Sequence, residues 1–243
     1  MNSYQLEVCA NSVTSAIAAQ RGGAHRVEFC QNLEIGGTTP SAGQIRMVRQ
    51  QLTIGVHVLI RPRGGDFLYT DVEFEEMKAD ILFCKEVGCN GVVVGLLDVA
   101  GRIDRKRTEE LVALANPMCV TFHRAFDVCV EPFEALEVVI ACGCKRLLTS
   151  GMKNTALAGK GLIRKLVERA NGRIEIIPGS GIDEANLVDI ARSTGASAFH
   201  TSAKIALKSK MRFQNNAIKG MGDIIWGASN EKIRRLTDIL KTL

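Results

Sequence analysis

The chain has 243 residues, close to the roughly 250 of one complete eightfold β/α barrel, and its 46% hydrophobic content can fill a large core. Its apolar runs fall far short of the ~20 residues that cross a bilayer, which argues against a membrane partner. The net charge of +5 is local, because Lys204, Lys208, Lys210, Arg212 and Lys219 lie within 203–222 without an acid; setting them aside leaves 26 basic against 26 acidic residues and no diffuse basic surface for nucleic acid.

The opening MNSYQLEVCANS has no signal-peptide core and enters a strand pattern at once, which points to the cytosol. The first strand, 4–9 (YQLEVC), ends Glu7-Val8-Cys9, and the second, 25–30 (HRVEFC), ends Glu28-Phe29-Cys30. Side chains alternate with period two, so each E-x-C places its Glu and Cys on one face. Neighbouring parallel strands lie about 4.8 Å apart, close enough for the two thiols, or the two carboxylates, to approach. The third strand, 54–60 (IGVHVLI), runs into Arg61-Pro62-Arg63-Gly64-Gly65-Asp66-Phe67, where Pro62 stiffens the turn. The fourth is 90–96 (NGVVVGL). The fifth, 118–123 (MCVTFH), runs into His123-Arg124-Ala125-Phe126-Asp127.

The sixth strand, 145–149 (KRLLT), leads to Thr149-Ser150-Gly151 and the seventh, 174–178 (IEIIP), to Gly179-Ser180-Gly181. The eighth, 197–200 (SAFH), ends at His200-Thr201-Ser202. A long excursion then carries the basic segment and Trp226 before a final helix; connections of that length are usually functional, and this one reads either as a surface excursion or oligomer contact or as an anion-attracting lid over the barrel mouth. Between strands the period becomes helical, as in Phe74, Met77, Ile81 and in Ile233, Leu236, Leu240. GGA at 22–24, VGC at 87–89, CGC at 142–144 and TGA at 194–196 each stop a helix ahead of a strand. The expected fold class is α/β, a single (β/α)8 TIM barrel over 1–243 with a basic excursion at about 203–229. A doubly wound open sheet fits less well, since no G-x-G-x-x-G follows the first strand.

Barrel active sites lie at the C-terminal strand ends. That rule selects Glu7, Glu28, His123 and Asp127 as candidate acid–base groups. It also selects Arg61, Arg63 and Arg124, with the backbone of Gly179, Ser180 and Gly181, as candidate anion-binding groups. The competing reading pairs the buried carboxylates with Arg61, Arg63 or Arg124 in a structural ion network. Asp183 is placed to cap the next helix and would compete for the loop's donors. His200 stands between the two readings, while His25 and His57 sit earlier in their strands and read as structural. No lysine ends a strand, so a Schiff-base reaction requires Lys204 to reach in. With no H-E-x-x-H, CxxC pair or Walker sequence, no organic cofactor is expected. Most of the eight cysteines read as core residues, and Cys142-x-Cys144 precedes the sixth strand, on the opposite face.

Taken together, E-x-C-x-x-S at 7–12, R-V-E-x-C at 26–30, G-G-x-T-P-S at 36–41, I-R-P-R-G-G-D-F at 60–67, F-H-R-A-F-D at 122–127 and L-T-S-G at 148–151 resemble the CutC copper homeostasis family. The resemblance runs to about Ser202. It implies a cytosolic barrel, oligomeric in at least some members (a homodimer is one form), that binds copper(I) through cysteines, here Cys9 and Cys30. Copper(I) favours soft thiolates. The larger set of hard and basic rim groups suits a second expectation, a metabolic enzyme of isomerase, lyase or hydrolase type. Its substrate would be a small anionic or phosphorylated metabolite.

Overall fold

The computed structural model describes residues 4–213, 215, 217 and 224–243; Lys219 of the basic segment lies outside them. Strands and helices alternate as β1 (Gln5–Ala10), α1 (Val13–Arg21), β2 (Arg26–Phe29), α2 (Ala42–Gln51), β3 (Gly55–Leu59), α3 (Asp71–Glu86), β4 (Gly91–Val94) and α4 (Arg105–Ala115). The second half repeats the pattern: β5 (Cys119–Phe122), α5 (Pro132–Ala141), β6 (Arg146–Thr149), α6 (Ala156–Ala170), β7 (Glu175–Pro178), α7 (Leu187–Thr194) and β8 (Ala198–Thr201). A hairpin of β9 (Lys204–Leu207) and β10 (Ile225–Ala228) then precedes α8 (Asn230–Lys241).

β1 to β8 form one parallel sheet in the order β7-β6-β5-β4-β3-β2-β1-β8. β8 lies against β7 to close the (β/α)8 barrel, although among the described residues these two strands share no ladder. The period-two rule sorts the side chains. Leu6, Val8, Ala10, Val27, Phe29, Val56 and Val58 join the main core between sheet and helices. The alternate positions point inward, where Cys9, Cys30, Leu59 and Val93 form one small cluster and Leu148, Ile177 and Ala198 another. The remaining inward positions include buried polar residues, among them Glu7, Arg26, Glu28, His57 and His200.

The helical stripes behave as their spacing dictates, with Phe74, Met77 and Ile81 of α3 and Ile233, Leu236 and Leu240 of α8 all buried. Helix starts are fixed by side-chain caps, including reciprocal capping boxes at Ser41/Gln44 and Thr70/Glu73. α7 differs from expectation. It starts at Leu187 after Asn186, while Asp183 accepts from the N–H of Ala185 in the turn before it. Among the described residues no helix is long and apolar enough to cross a membrane.

Candidate functional site

The site is built on three neighbouring strands. Ladder register sets Glu7 of β1 beside Arg26 of β2 on one side and beside His200 of β8 on the other. Arg26 Nε donates to Glu7 Oε2 at 2.6 Å, and His200 Nδ1 lies 2.7 Å from Glu7 Oε1. All three side chains are buried. Burial by itself would raise the Glu7 carboxyl, but Arg26 and His200 outweigh it and hold Glu7 well below the usual carboxylate range. Burial works against a charged His200 too, yet Glu28, Cys9 and Glu7 around it raise its pKa well above that of a free imidazole. That direction favours the protonated ring, which donates Nδ1–H to Glu7. Arg26 also donates to Gln5 Oε1 at 2.6 Å and reaches Glu175 at 3.5 Å. Below it Arg146 bonds Glu175 at 2.8 Å and contacts His57 and Cys119. This layer of alternating charge fills the barrel beneath the mouth.

Cys9 is the ladder partner of Glu28, and Cys30 stands two residues further on, just past the end of β2. Strand tilt in a closed barrel staggers neighbouring strands and brings such offset residues level. The Cys9 and Cys30 Sγ atoms lie 3.4 Å apart, and Cys9 Sγ is 3.8 Å from Glu28 Oε1. The bond to Cys30, then burial, push the Cys9 thiol well above its ordinary pKa. Ligand atoms of Cys9, Glu28 and His200 all fall within 4.8 Å of one another.

Glu28 has no cationic side chain bonded to it, and its Oε2 has no hydrogen-bond partner among the described residues. Burial raises its pKa to about 7, with nearby Glu7 adding to the rise and His200 opposing it. His123 directly follows β5, and its Nδ1 accepts the N–H of Ala125 at 3.1 Å. The proton of the neutral ring therefore sits on Nε2, which is buried and has no partner among the described residues. Burial and Arg61 push this imidazole down to about 3, so it stays neutral. Gly95 leaves space for the ring: a Cβ there would come within 2.2 Å of His123.

Glu28, His123, His200 and Cys9 all line one cavity of about 380 Å³ at the C-terminal ends of the strands, with Arg61, Arg124, Ser180, Gly181, Ile182, Ser202 and Lys204. Other expected residues stand elsewhere or are already engaged. Glu7 lies beneath the cavity, positioning His200. Arg61 is buried without a carboxylate partner among the described residues; its NH1 donates to the carbonyls of Ile35 and Gly37, and its NH2 to that of Gly65. Arg63 turns away from the cavity to Glu73 at 2.6 Å and Asp66 at 3.1 Å. Arg124 pairs with Asp127 at 2.7 Å, while Asp127 also accepts the N–H groups of Ser150 and Met152 and the hydroxyl of Thr149. Asp127 thus ties the β5 and β6 loops together. Gly179 donates its N–H to Thr149, leaving Ser180 and Gly181 as the part of that loop that lines the cavity.

The sequence reading gave Arg26 no role of its own, yet it supplies the charge that Glu7 needs. His200 was placed at a strand end between two roles, but its partner lies 193 residues away. Alternation along the chain reveals the face of a residue, and gives no information about which strand lies beside it.

The sequence model of a family described as the CutC family matches residues 4–205. A protein of Chromobacterium violaceum named family protein CutC is 51% identical over 217 residues, covering 89% of this chain and 87% of its own. A Homo sapiens protein named copper homeostasis protein cutC homolog is 46% identical over 240 residues, covering 99% of this chain and 87% of its own. The solved structure of a CutC protein of Streptococcus agalactiae superposes with a TM-score of 0.78 at 36% identity, covering 82% of this chain and 98% of that one. A thiamine phosphate pyrophosphorylase of Pyrococcus furiosus, at 17% identity and a TM-score of 0.63, shares the fold alone; it covers 99% of this chain and 97% of its own.

Proposed function

This chain belongs to the CutC family, and from that membership we propose that it is a copper homeostasis protein holding copper(I) on Cys9 and Cys30, with His200 beside them. The observation that carries this reading is the 3.4 Å approach of two buried thiols inside the barrel. Copper(I) prefers thiolate and accepts imidazole, and Glu7 on Nδ1 of His200 is the outer carboxylate that commonly orients a ligating histidine. The names of the human and mouse relatives support the same reading. The thiols and His200 must give up protons to bind the metal, so binding releases protons and strengthens as pH rises. We place the protein in the cytosol, where its eight cysteines stay reduced, as a homo-oligomer. Titrating reduced protein with copper(I) against a competing chelator tests the site. Stoichiometric binding should disappear in the Cys9→Ser, Cys30→Ser double variant, and an unchanged affinity there would sink this assignment.

A second reading is favoured by a separate observation. Glu28 and His123 line one cavity with Arg61 and Lys204 in its wall, and among the described residues Glu28 Oε2 and His123 Nε2 are buried without partners. A carboxyl poised near neutrality and a neutral imidazole donor are the equipment of an acid–base enzyme acting on a small anionic substrate. Under this reading Glu28 moves the proton, His123 donates to a substrate oxygen, and the cationic wall attracts the anion. Asp127 and Glu7 act by holding other groups in place.

A further inference from the structure

Resting on that second reading, we infer that the cavity takes a short phosphomonoester. Its phosphate lies at the Ser180–Ile182 end beside Lys204, and an oxygen of its carbon chain accepts Nε2–H of His123.

The first support is the loop after β7. Ser180, Gly181 and Ile182 all line the cavity, and among the described residues their backbone N–H groups meet no acceptor. The loop is nevertheless tied down. Gly179 N–H donates to Thr149, the Ser180 carbonyl accepts from Ala156 N–H, and the Ser180 hydroxyl donates to the Asn154 carbonyl at 2.8 Å. Ser180 and Gly181 hold φ of +81° and +72°, a left-handed backbone that costs a serine energy and is retained where surrounding structure enforces it. Three successive amides without acceptors suit an anion with several oxygens, and a phosphate presents three strong acceptor oxygens.

The second support is charge. Among the described residues, the charged side chains in the wall are Arg61, Arg124, Lys204 and His200 against the single acid Glu28, and His200 is balanced by Glu7 beneath it. Arg124 is neutralised by Asp127. Arg61 and Lys204 have no carboxylate partner among the described residues, and the Lys204 ammonium instead stands 4.8 Å over the Trp226 ring. The balance suits a dianion. Lys204 belongs to the β9–β10 hairpin, so the basic excursion contributes a residue to this wall.

The third support is His123. Its Nδ1 is occupied by Ala125 N–H, which leaves the Nε2–H of this cavity-lining residue buried without a partner among the described residues. At about 380 Å³ the cavity leaves room beyond a phosphate for a few carbon and oxygen atoms.

The full chain is titrated by calorimetry with dihydroxyacetone phosphate, dihydroxyacetone, inorganic phosphate and pyruvate. The phosphomonoester should bind saturably at one per chain, at least about tenfold more tightly than dihydroxyacetone or inorganic phosphate. Lys204→Ala, on an exposed strand, should weaken both phosphate-bearing probes by about tenfold. His123→Ala should weaken dihydroxyacetone phosphate and leave inorganic phosphate unaffected. If that variant loses its cooperative melt, His123→Gln, which keeps an N–H donor, is read in its place and should retain most of the affinity. Dihydroxyacetone phosphate binding no more tightly than dihydroxyacetone, or binding indifferent to Lys204→Ala, would overturn the inference. Pyruvate binding in a His123-dependent manner without phosphate-dependent binding would remove the phosphate end and keep the enzyme reading. No binding by any probe would count against both.

Discussion

Glu7 and His200 meet at 2.7 Å inside the barrel, on strands that are neighbours in the sheet and almost two hundred residues apart in the chain. The carboxylate takes Nδ1 of the ring, so Nε2 is left to serve the cavity. Arg26, 2.6 Å from the other oxygen of Glu7, keeps the carboxylate charged despite complete burial. Histidine orientation, carboxylate charge and the layer of ion pairs below are thus one connected unit.

Replacing Glu7 by Gln leaves buried Arg26 with the neutral Gln5 and, as its one carboxylate among the described residues, Glu175 at 3.5 Å, and it deprives His200 of its anion. Loss of one partner from a buried ion pair costs about 3–5 kcal/mol, and a ligating histidine without its outer carboxylate loses about 10–100-fold in metal affinity. Urea unfolding should show the first effect and copper(I) competition the second. A Glu7→Gln protein with wild-type values in both would mean that Glu7 neither stabilises the barrel nor orients His200.

Glu28 makes stability depend on pH in a definite direction. Its folded pKa, about 7, lies above the ordinary 4.5, so the folded protein binds this proton more tightly than the unfolded chain does. The ionised carboxyl therefore penalises folding, by an amount that grows from pH 4.5 to 7 and stays constant above. Glu28→Gln removes the penalty. Relative to wild type it should gain on the order of 3 kcal/mol at pH 8 and less than about 1 kcal/mol at pH 5. Equal gains at the two pH values in denaturant titrations would show that Glu28 is ionised throughout.

Arg61 binds three backbone carbonyls from two loops, those of Ile35 and Gly37 on one and Gly65 on the other. A lysine keeps the charge but lacks the planar fork that reaches all three. Each hydrogen bond from a charged group is worth roughly 1.5–3 kcal/mol, so Arg61→Lys should destabilise by at least about 2 kcal/mol. Amide exchange should quicken at Gly36 and Gly37. Unaltered exchange there would remove Arg61 as the brace between the loops.

The amino-acid sequence by itself determined the (β/α)8 fold, the position of each of the eight barrel strands to within one or two residues, and the inward face of Glu7, Cys9, Glu28 and Cys30. These are consequences of local periodicity: period two along a strand, a helical stripe between strands, and glycines where helices end. The pairing of side chains across strands was decided only by the tertiary structure. Register makes Arg26 and His200 the partners of Glu7, and barrel stagger sets Cys30 beside Cys9. The same chain closure turns Arg63 out towards Glu73 and gives Asp127 to the β6 loop. Such partners lie ten to almost two hundred residues apart. Their meeting depends on how the sheet closes, a property of all eight strands together that the alternation within any one of them does not contain.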